Sequence, residues 1–496
     1  MGLKSLLAKP FAKWVTKKVK LESMQALTFQ DKWLHTLLKE AAQTQFGKDH
    51  GFDKIRNYDD YKRQVPIRDY EALRPYMDRV VAGEVDITWP GKPLYFAKTS
   101  GTTSGVKYIP ISKESISYHI NSARNALLAY IDETGNADFV DGKLIFLSGS
   151  PVMDKKNGIF TGRLSGIVNH HVPGYLRKNQ MPSFATNCIE DWEEKVAKIT
   201  EETLKENMTL ISGIPPWVQM YFDLVQAKTG KLIKDVFPNF NLFVYGGVNF
   251  EPYRKKIEFS IGKKVDTIET YPASEGFIAY QDSQVEDGLL LLTNNGIFYE
   301  FITAESFYHE EQERVSLADV KLDTNYAIIL NTNAGLYGYN IGDTVKFVSL
   351  NPYKIKVTGR IKHFISAFGE HVIGEEVEYA MFKVCEKYGA RVVEFTVAPQ
   401  VNPPEGGLPY HEWLVSFEKE PTDTKSFAGE LDLAMQEKNI YYKDLIVGNI
   451  LQRLKIKVLA PDAFIQYMKT QGKLGGQNKV PRLSNDRKIA DALTAL

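Results

Sequence analysis

The sequence predicts an α/β protein with a largely parallel sheet and more than one domain. Helical and strand-like segments alternate for several hundred residues, and apolar runs at 143–147, 242–245 and 327–330 are typical of strands. The chain has 496 residues, well beyond the roughly 250–300 at which one hydrophobic core stops growing. At least two domains are therefore expected.

The composition excludes several classes of protein. Lys and Arg total 61 and Asp and Glu total 61, so the chain lacks the basic surplus typical of a nucleic-acid binder. Cys188 and Cys385 share no short spacing with each other or with histidines, which argues against a disulfide framework and a zinc site and favours a reducing cytoplasm. No run approaches the roughly 20 apolar residues of a membrane span.

Residues 1–20 predict an amphipathic helix with a basic outer face. They contain six lysines and no acid, and Leu3, Leu7, Phe11, Trp14 and Val15 recur at helical spacing. Pro10 is expected to kink this helix or to begin a new one. Two interpretations stay open: a helix docked on its own domain, which is favoured, and a helix at a membrane surface.

The first motif, at 99–107, is Thr-Ser-Gly-Thr-Thr-Ser-Gly-Val-Lys after a strand-like segment at 94–97. Small hydroxyl residues, glycines and a lysine let backbone N–H groups and charge converge on a phosphate. It is not a Walker A sequence, because Val106 separates Gly105 from Lys107. Nor is it a nucleophile elbow, because the central residue is Thr103. In isolation, a flexible surface loop is the alternative.

The second motif, at 271–276, is Tyr-Pro-Ala-Ser-Glu-Gly, placed after a strand-like segment at 265–270. A tyrosine ring can stack on a base, the Ser274 hydroxyl can reach a phosphate, and the Glu275 carboxylate can hold Mg²⁺. Taken alone, Glu275 is equally well explained as a solvated or paired turn residue.

Two further motifs follow. Residues 339–343 are Tyr-Asn-Ile-Gly-Asp, and residues 357–363 are Val-Thr-Gly-Arg-Ile-Lys-His, leading into an acidic segment at 369–378. A carboxylate such as Asp343 can accept from both hydroxyls of a ribose. A turn or cap acid is the alternative for Asp343.

These four motifs, in this order, resemble the adenylate-forming, firefly-luciferase-like superfamily and within it the auxin-responsive acyl-acid amido synthetases. Members of that family join carboxylic-acid hormones to amino acids in plants, and similar proteins occur in bacteria; the chain is most similar to a bacterial-type member. The Ser-Gly-x-Lys ending of the loop and the Tyr-x-Ala-Ser-Glu-Gly string point to this branch. The resemblance spans residue 95 to about residue 482.

The resemblance implies ATP and Mg²⁺ as cofactors and assigns roles to individual residues. Those implied to bind the triphosphate are Ser100, Gly101, Thr102, Thr103, Ser104 and Lys107. Those implied around the rest of the nucleotide are Gly247 and Val248 at the adenine, Tyr271 along the adenine, Asp343 and Arg360 at the ribose, and Ser274 at the α-phosphate. Glu275 would bind Mg²⁺.

The resemblance also implies a mobile C-terminal domain. A large adenylate-forming domain with mixed and parallel sheets flanked by helices would cover residues 1–361, and a smaller α+β domain would cover 362–496, with Lys362 as the hinge. Lys479 is the candidate catalytic lysine. Lys473 lies close enough in sequence to serve instead, and a solvated loop lysine is the third interpretation.

The acyl pocket is the least defined part of the site. Arg124, on a helix predicted at 113–130, could meet a carboxylate through two hydrogen bonds, although a surface or packing role is favoured. Segments 159–167 and 217–221 could add walls. We interpret His170 and His171 as structural, because adjacent residues of a strand point to opposite faces.

The resemblance therefore implies a cytoplasmic, monomeric ligase that activates a small carboxylic acid as an acyl-adenylate and passes it to an amino acid. No side-chain nucleophile is needed. Two alternatives stay open, an acid-thiol ligase of the acyl-CoA type and a non-catalytic protein that binds a nucleotide or an acid. Neither the acid nor the amine can be named from the sequence.

Overall fold

The computed structural model describes residues 2–100, 106–172, 177–247, 250–307, 309, 311–361, 364–365, 367–368, 370, 372–447, 450–472, 480–484 and 486–496. Contacts divide the chain into two compact units. The first comprises Met1–Val248 and Ile257–Val357, and the second comprises Asn249–Lys256 and Thr358–Leu496. The domain boundary expected between residues 361 and 362 stays a prediction.

The first unit contains most of the elements. Its α-helices are α1 Leu3–Met24, α2 Ala26–Ala41, α3 Gln45–Asp49, α4 Tyr58–Gln64, α5 Tyr70–Val81, α6 Ile116–Thr134, α7 Leu164–His170, α8 Phe184–Asn187, α9 Trp192–Thr203, α10 Pro215–Thr229 and α11 Ile233–Val236. Helix α12, Glu251–Ile261, begins in the second unit and ends in the first. Short 3-10 helices cover Phe52–Lys54, Asp138–Asp141 and Leu317–Asp319.

Its strands are β1 Tyr95–Ser100, β2 Val106–Ile111, β3 Lys143–Phe146, β4 Asp154–Lys156, β5 Ile159–Gly162, β6 Gln180–Met181, β7 Met208–Ser212, β8 Leu242–Gly246, β9 Asp266–Ala273, β10 Gly276–Tyr280, β11 Leu289–Leu291, β12 Ile297–Thr303, β13 Arg314–Ser316, β14 Asn325–Thr332 and β15 Tyr339–Leu350. Strand β16, Tyr353–Arg360, crosses into the second unit. The strands predicted at 143–147, 242–245 and 327–330 are confirmed.

One large sheet organises the first unit, in the order β13-β12-β14-β15-β16-β11-β10-β9-β8-β7-β3-β6. Only one end is parallel: β6, β3, β7, β8 and β9 pair side by side in one direction. Beyond β9 the pairing is antiparallel. The expected largely parallel sheet is therefore corrected to a mixed one, because helices join the strands of one half while short turns and loops join many of the other.

Helix α1 has a buried face and an exposed face. Ala12 and Val15 are buried in a cluster with side chains of α6 and of the 3-10 helix Asp138–Asp141. The helix runs through Pro10 without ending, so the expected new start is wrong. Pro10 and Leu6 are both exposed, and water can therefore replace the hydrogen bond that the missing N–H would have given to the Leu6 carbonyl.

The second unit is an α+β body. Its remaining elements are β17 Phe364–Ile365, β18 Val372–Ile373, α13 Gly374–Tyr388, β19 Arg391–Gln400, β20 Tyr410–Lys419, α14 Thr424–Lys438, α15 Ile440–Val447, β21 Lys455–Leu459, α16 Ala463–Thr470 and α17 Lys488–Thr494. Antiparallel β19 and β20 form a hairpin around the Pro- and Gly-rich loop at 402–409, and β21 pairs parallel to β20. Phe395 and Trp413 stack at 5.6 Å in its core.

Across the part of the chain that the structure describes, the helices are too short or too polar to cross a bilayer.

Candidate active site

A tight hairpin presents the second motif. Ala273 of β9 pairs with Gly276 of β10, so Ser274 and Glu275 form a two-residue turn in which both are half-buried. A Cβ at position 276 would lie 2.5 Å from Cδ1 of Ile297, so a larger residue there would require the Ile297 side chain to shift. Tyr271 is inside β9 and not after it, four residues before Glu275.

Two tyrosine–carboxylate pairs join this hairpin to β15. The Tyr271 hydroxyl donates to Oδ2 of Asp343 at 2.7 Å, and the negative charge of Glu275 acts on the Tyr339 hydroxyl. Each element thus supplies one tyrosine and, four residues later, one carboxylate. The two motifs that the sequence analysis treated separately lie together in the structure.

These contacts require a curved sheet. Strands β16, β11 and β10 lie between β15 and β9 in the sheet order. In a flat sheet four strand spacings would separate β15 from β9 by about 19 Å, too far for a direct tyrosine–carboxylate hydrogen bond. The sheet therefore bends strongly at its antiparallel half and brings the carboxyl end of β9 to the start of β15.

The Tyr339 hydroxyl keeps its proton beside the charge of Glu275. Burial, followed by the negative charge of Glu275, raises the pKa of Tyr339 well above its usual value. The hydroxyl therefore stays protonated across the physiological range.

Lys107 is connected to the same region through Tyr70. Its Nζ lies 5.6 Å from the centre of the Tyr70 ring, within the range of a cation–π contact. The Tyr70 hydroxyl accepts from the backbone N–H of Tyr108 at 2.9 Å, and Tyr70 contributes to the electrostatic environment of Tyr339.

The chain just before Tyr70 is attached to β15 by backbone bonds. The N–H of Arg68 donates to the Gly338 carbonyl, and the N–H of Asn340 donates to the Arg68 carbonyl, each at 2.8 Å. Arg68 and Tyr339 form a parallel bridge. The start of α5 and the start of β15 are therefore held as one piece.

The phosphate-loop motif is only partly described. Strands β1 and β2 flank it as an antiparallel pair, with Ser100 opposite Val106 and Thr99 opposite Lys107. The side chain of Ser100 and the residues Gly101, Thr102, Thr103 and Ser104 lie outside the described residues.

The glycine turn after β8 lies beside β9. Gly246 pairs with Thr270, and a Cβ on it would lie 2.3 Å from the Thr270 carbonyl oxygen. Gly247 has a φ of 78°, which favours glycine. Val248 lies outside the described residues. The turn thus adjoins the segment that carries Tyr271.

Other candidates are not brought to this cluster by any contact described. The Arg124 guanidinium lies 5.8 Å from the Phe11 ring and donates to Oδ1 of its neighbour Asn125 at 3.0 Å. Arg360 is exposed at the end of β16, in the second unit. The predicted hinge Lys362 and the two candidate catalytic lysines, Lys473 and Lys479, lie outside the described residues.

The two adjacent histidines need a correction. His170 is the last residue of α7 and His171 its C-cap, so neither lies on a strand. Nε2 of His170 lies 2.8 Å from the Pro151 carbonyl oxygen, and Nε2 of His171 lies 2.9 Å from the Tyr95 hydroxyl. These hydrogen bonds agree with a structural role for both histidines. The reason is the contacts they make, and not a position on a strand. Within the described ranges, side chains that could hold a metal do not gather in groups of three or more.

Sequence reasoning missed a buried polar network under the start of β15. The N–H of Gly338 donates to Oδ1 of Asn331 at 2.6 Å, and Nδ2 of Asn331 donates to Glu300 at 2.9 Å. Glu300 is fully buried and paired with Arg314 through two bonds of 2.7 and 2.9 Å. The signal available was an acid isolated within the apolar run of β12.

Family comparisons give the chain its place. The family model described as the GH3 family N-terminal domain matches residues 15–183 and 148–265, the central domain matches 290–360, and the C-terminal domain matches 375–488. The chain belongs to the GH3 family. This confirms the resemblance drawn from the four motifs, whereas its bacterial type stays a prediction.

Two curated GH3 relatives show how low the sequence identity to this chain is. Jasmonoyl-L-amino acid synthetase JAR4 of Nicotiana attenuata is 24% identical over 66% of this chain and 68% of its own length. Indole-3-acetic acid-amido synthetase GH3.3 of Arabidopsis thaliana is 22% identical over 94% of this chain and 90% of its own length.

Solved structures support the same GH3 fold. The AtGH3.15 acyl acid amido synthetase in complex with 2,4-DB has a TM-score of 0.79 at 18% identity, covering 98% of this chain and 96% of its own. A 2-hydroxyisobutyryl-CoA ligase in complex with 2-HIB-AMP has a TM-score of 0.57 at 13% identity, covering 97% and 91%. The large N-terminal sheet domain and smaller C-terminal domain expected from the sequence are confirmed.

Proposed function

We propose that this GH3-family chain is an ATP-dependent ligase that activates a carboxylic acid as an acyl-adenylate and transfers the acyl group to the amine of an amino acid. The observation that carries the proposal is the double tyrosine–carboxylate pairing, which sets the acid assigned to ribose, Asp343, beside the acid assigned to Mg²⁺, Glu275. Relatives named as amido synthetases for jasmonic acid and indole-3-acetic acid support it.

ATP would lie along the β9–β10 hairpin and β15. Asp343 would accept from the ribose hydroxyls, with Arg360 supporting the ribose, and Gly247 and Val248 would bound the adenine. Ser100, Gly101, Thr102, Thr103, Ser104 and Lys107 would bind the β- and γ-phosphates. For Tyr271 we add a role to the expected adenine contact: its hydrogen bond orients Asp343.

Glu275 fits a magnesium ligand. The residue is half-buried, and the protonated Tyr339 hydroxyl lies close enough to respond to its negative charge. One or two carboxylates with substrate phosphates make up a common Mg²⁺ site in proteins. A bound Mg²⁺ would neutralise charge on the phosphate oxygens.

The chemistry needs no nucleophile from the chain. A carboxylate oxygen of the acid attacks the α-phosphorus of ATP, the bond to the bridging oxygen breaks, and pyrophosphate leaves. Ser274 and Lys479 would stabilise charge on the α-phosphate oxygens. The amine then attacks the acyl carbon and expels AMP, and the amine loses a proton as the amide forms.

Three further assignments come from the sequence analysis. Residues 362–496 would rotate about Lys362 between the two half-reactions. Arg124 would contact the acid carboxylate, although its neighbours in the structure are Phe11 and Asn125. We also propose a cytoplasmic monomer.

The rival is an acid-thiol ligase, which the likeness in fold to a CoA ligase favours. Pyrophosphate exchange cannot separate the two, because both begin with adenylation. Pyrophosphate release should be measured over a panel of aryl, indolyl and fatty acids, each with mixed amino acids or with coenzyme A. Release that depends on amino acids supports the proposal, and release that depends only on coenzyme A contradicts it.

A further inference from the structure

The outer face of α1 carries a stripe of large apolar side chains. Leu7, Phe11, Trp14 and Leu21 are between 42% and 65% exposed. At 3.6 residues per turn all four project within about 80° of one another around the helix axis. The first unit already covers the inner face of α1. The four exposed side chains are therefore not part of the hydrophobic core of that unit.

Exposed lysines lie within and beside this stripe. Around the helix axis Lys18 falls inside the stripe, and Lys4 and Lys17 each lie within about 40° of one of its edges. Lys20 lies farther from the stripe, 3.9 Å from Asp132. The first acid in α1 is Glu22, which lies 3.9 Å from Lys18, so the preceding turns of the helix are purely basic.

The aromatic residues and their surroundings reinforce this pattern. The rings of Phe11 and Trp14 stack at 6.0 Å, and the Arg124 guanidinium lies 5.8 Å from Phe11. Single exposed apolar residues are ordinary on protein surfaces, but an aligned stripe edged by cations is not. Tryptophan at headgroup depth and lysine near lipid phosphates together make up the amphipathic pattern of helices that lie on anionic membranes.

We propose that the α1 outer face, defined as Leu7, Phe11, Trp14, Leu21 and the lysines Lys4, Lys17 and Lys18, binds the surface of an anionic lipid bilayer. The two rings enter the headgroup region and the lysines face the lipid phosphates. Because Ala12 and Val15 hold the helix on the first unit, the whole protein rests on the membrane. This function goes beyond ligation, in which α1 has no assigned part.

Sedimentation of the full chain with vesicles tests the proposal. Binding is expected to mixed phosphatidylcholine–phosphatidylserine vesicles and to fall as salt rises, with much weaker binding to pure phosphatidylcholine. Replacing Lys4, Lys17 and Lys18 together by alanine should weaken binding about 100-fold, since each lysine near an anionic surface contributes about fivefold. Trp14→Ser should weaken it about tenfold or more.

Matched controls separate local from global charge. Replacing the exposed lysines Lys32, Lys39 and Lys48 of α2 and α3 removes the same net charge and should leave vesicle binding within about twofold of the wild type. Lipid-free pyrophosphate release should be unchanged in all of these variants. A chain without ligase activity that still binds vesicles would refute only the proposed function.

Three results would overturn the membrane proposal. The first is no binding to anionic vesicles. The second is a loss of vesicle binding in the control-lysine variant as large as that in the α1 lysine variant, or binding to neutral vesicles as strong as binding to anionic ones. The third is a dimer in lipid-free solution that Trp14→Ser converts to monomer, which would show that a second copy of the chain covers this face.

Discussion

The hydrogen bond between Tyr271 and Asp343 makes the role of the tyrosine testable at a single atom. If the hydroxyl orients the carboxylate, Tyr271→Phe should raise the dissociation constant for ATP between about twofold and tenfold, the scale of one net hydrogen bond. If the ring only stacks on adenine, phenylalanine should bind as well as tyrosine. Isothermal titration with ATP measures the difference.

The control for this variant is Tyr299→Phe. Tyr299 is buried in the same sheet, and its hydroxyl donates to the Leu292 carbonyl at 3.2 Å, so the change removes a comparable hydroxyl away from the proposed nucleotide. ATP affinity should not change. An equal loss in both variants would indicate general loosening of the sheet and would contradict a specific role for Tyr271.

Glu275 is assigned to the metal, which predicts a change in metal dependence. Glu275→Gln should raise the Mg²⁺ concentration needed for half-maximal pyrophosphate release by about tenfold or more, with a smaller change in ATP affinity, because a charged ligand is replaced by a neutral one. Rate against Mg²⁺ at fixed ATP measures this. Tyr339→Phe should give a weaker shift of the same sign, and an unaltered Mg²⁺ profile in Glu275→Gln would remove the assignment.

Strand β12 supports the site through a buried charge. Glu300→Gln leaves Arg314 buried without its counter-charge, and this should cost about 3–5 kcal/mol of unfolding free energy. The double replacement Glu300→Leu with Arg314→Met removes both charges and should cost less than the single one. Urea denaturation of the full chain compares them. A single-variant cost below about 1 kcal/mol would show that the pair does not stabilise the start of β15.

Glu376 of helix α13 should make the free energy of unfolding of the second unit depend on pH. Burial raises the pKa of Glu376 to about 7, although Ile373 N–H and Asn439 Nδ2 both donate to its carboxylate. Between the ordinary value of 4.5 and about 7 the folded form binds more protons than the unfolded form. The free energy of unfolding should therefore fall as pH rises through this window, by about 3 kcal/mol in total.

The test uses Glu376→Gln, with Glu375→Gln as a control that removes a charge from the same turn. Hydrogen exchange of β19 and β20 peptides should show that the glutamine variant gains stability over the wild type between pH 5 and pH 8. Parallel pH profiles for wild type and Glu376→Gln would contradict the assignment.

Local elements could be predicted from the sequence, whereas the long-range pairings could not. The strands at 143–147 and 242–245 and the hairpin around 402–409 follow from apolar runs and turn residues that lie within a few positions of each other. The curved antiparallel half depends on contacts between distant segments, such as Tyr271 with Asp343, 72 residues apart. No local pattern encodes such a contact.

The site shows the same division. Both motifs that meet at the tyrosine–carboxylate pairs could be predicted. That Tyr339 lies beside Glu275 could not be predicted, because their proximity depends on sheet curvature. Tyr70 and Asn331 were missed for the same reason: each acts through a contact with a segment far along the chain.

At the scale of the whole molecule, the zero net charge and the proposed nucleotide chemistry agree. A single ATP needs only a local loop, one or two lysines and a metal ion. The basic residues that stand out are instead gathered on the α1 outer face, where the proposed partner is an anionic surface. In both proposals, the positive charges that bind the partner are confined to a small part of the chain.

Oxygen tracing tests the central claim of acyl-adenylate formation most directly. An acid that supports pyrophosphate release is supplied with ¹⁸O in both carboxylate oxygens, together with ATP and its amino acid. Because a carboxylate oxygen attacks the α-phosphorus, the AMP formed should carry one ¹⁸O atom and the amide the other, as mass spectrometry would show. Label in inorganic phosphate with formation of ADP, or AMP without label, would contradict the mechanism.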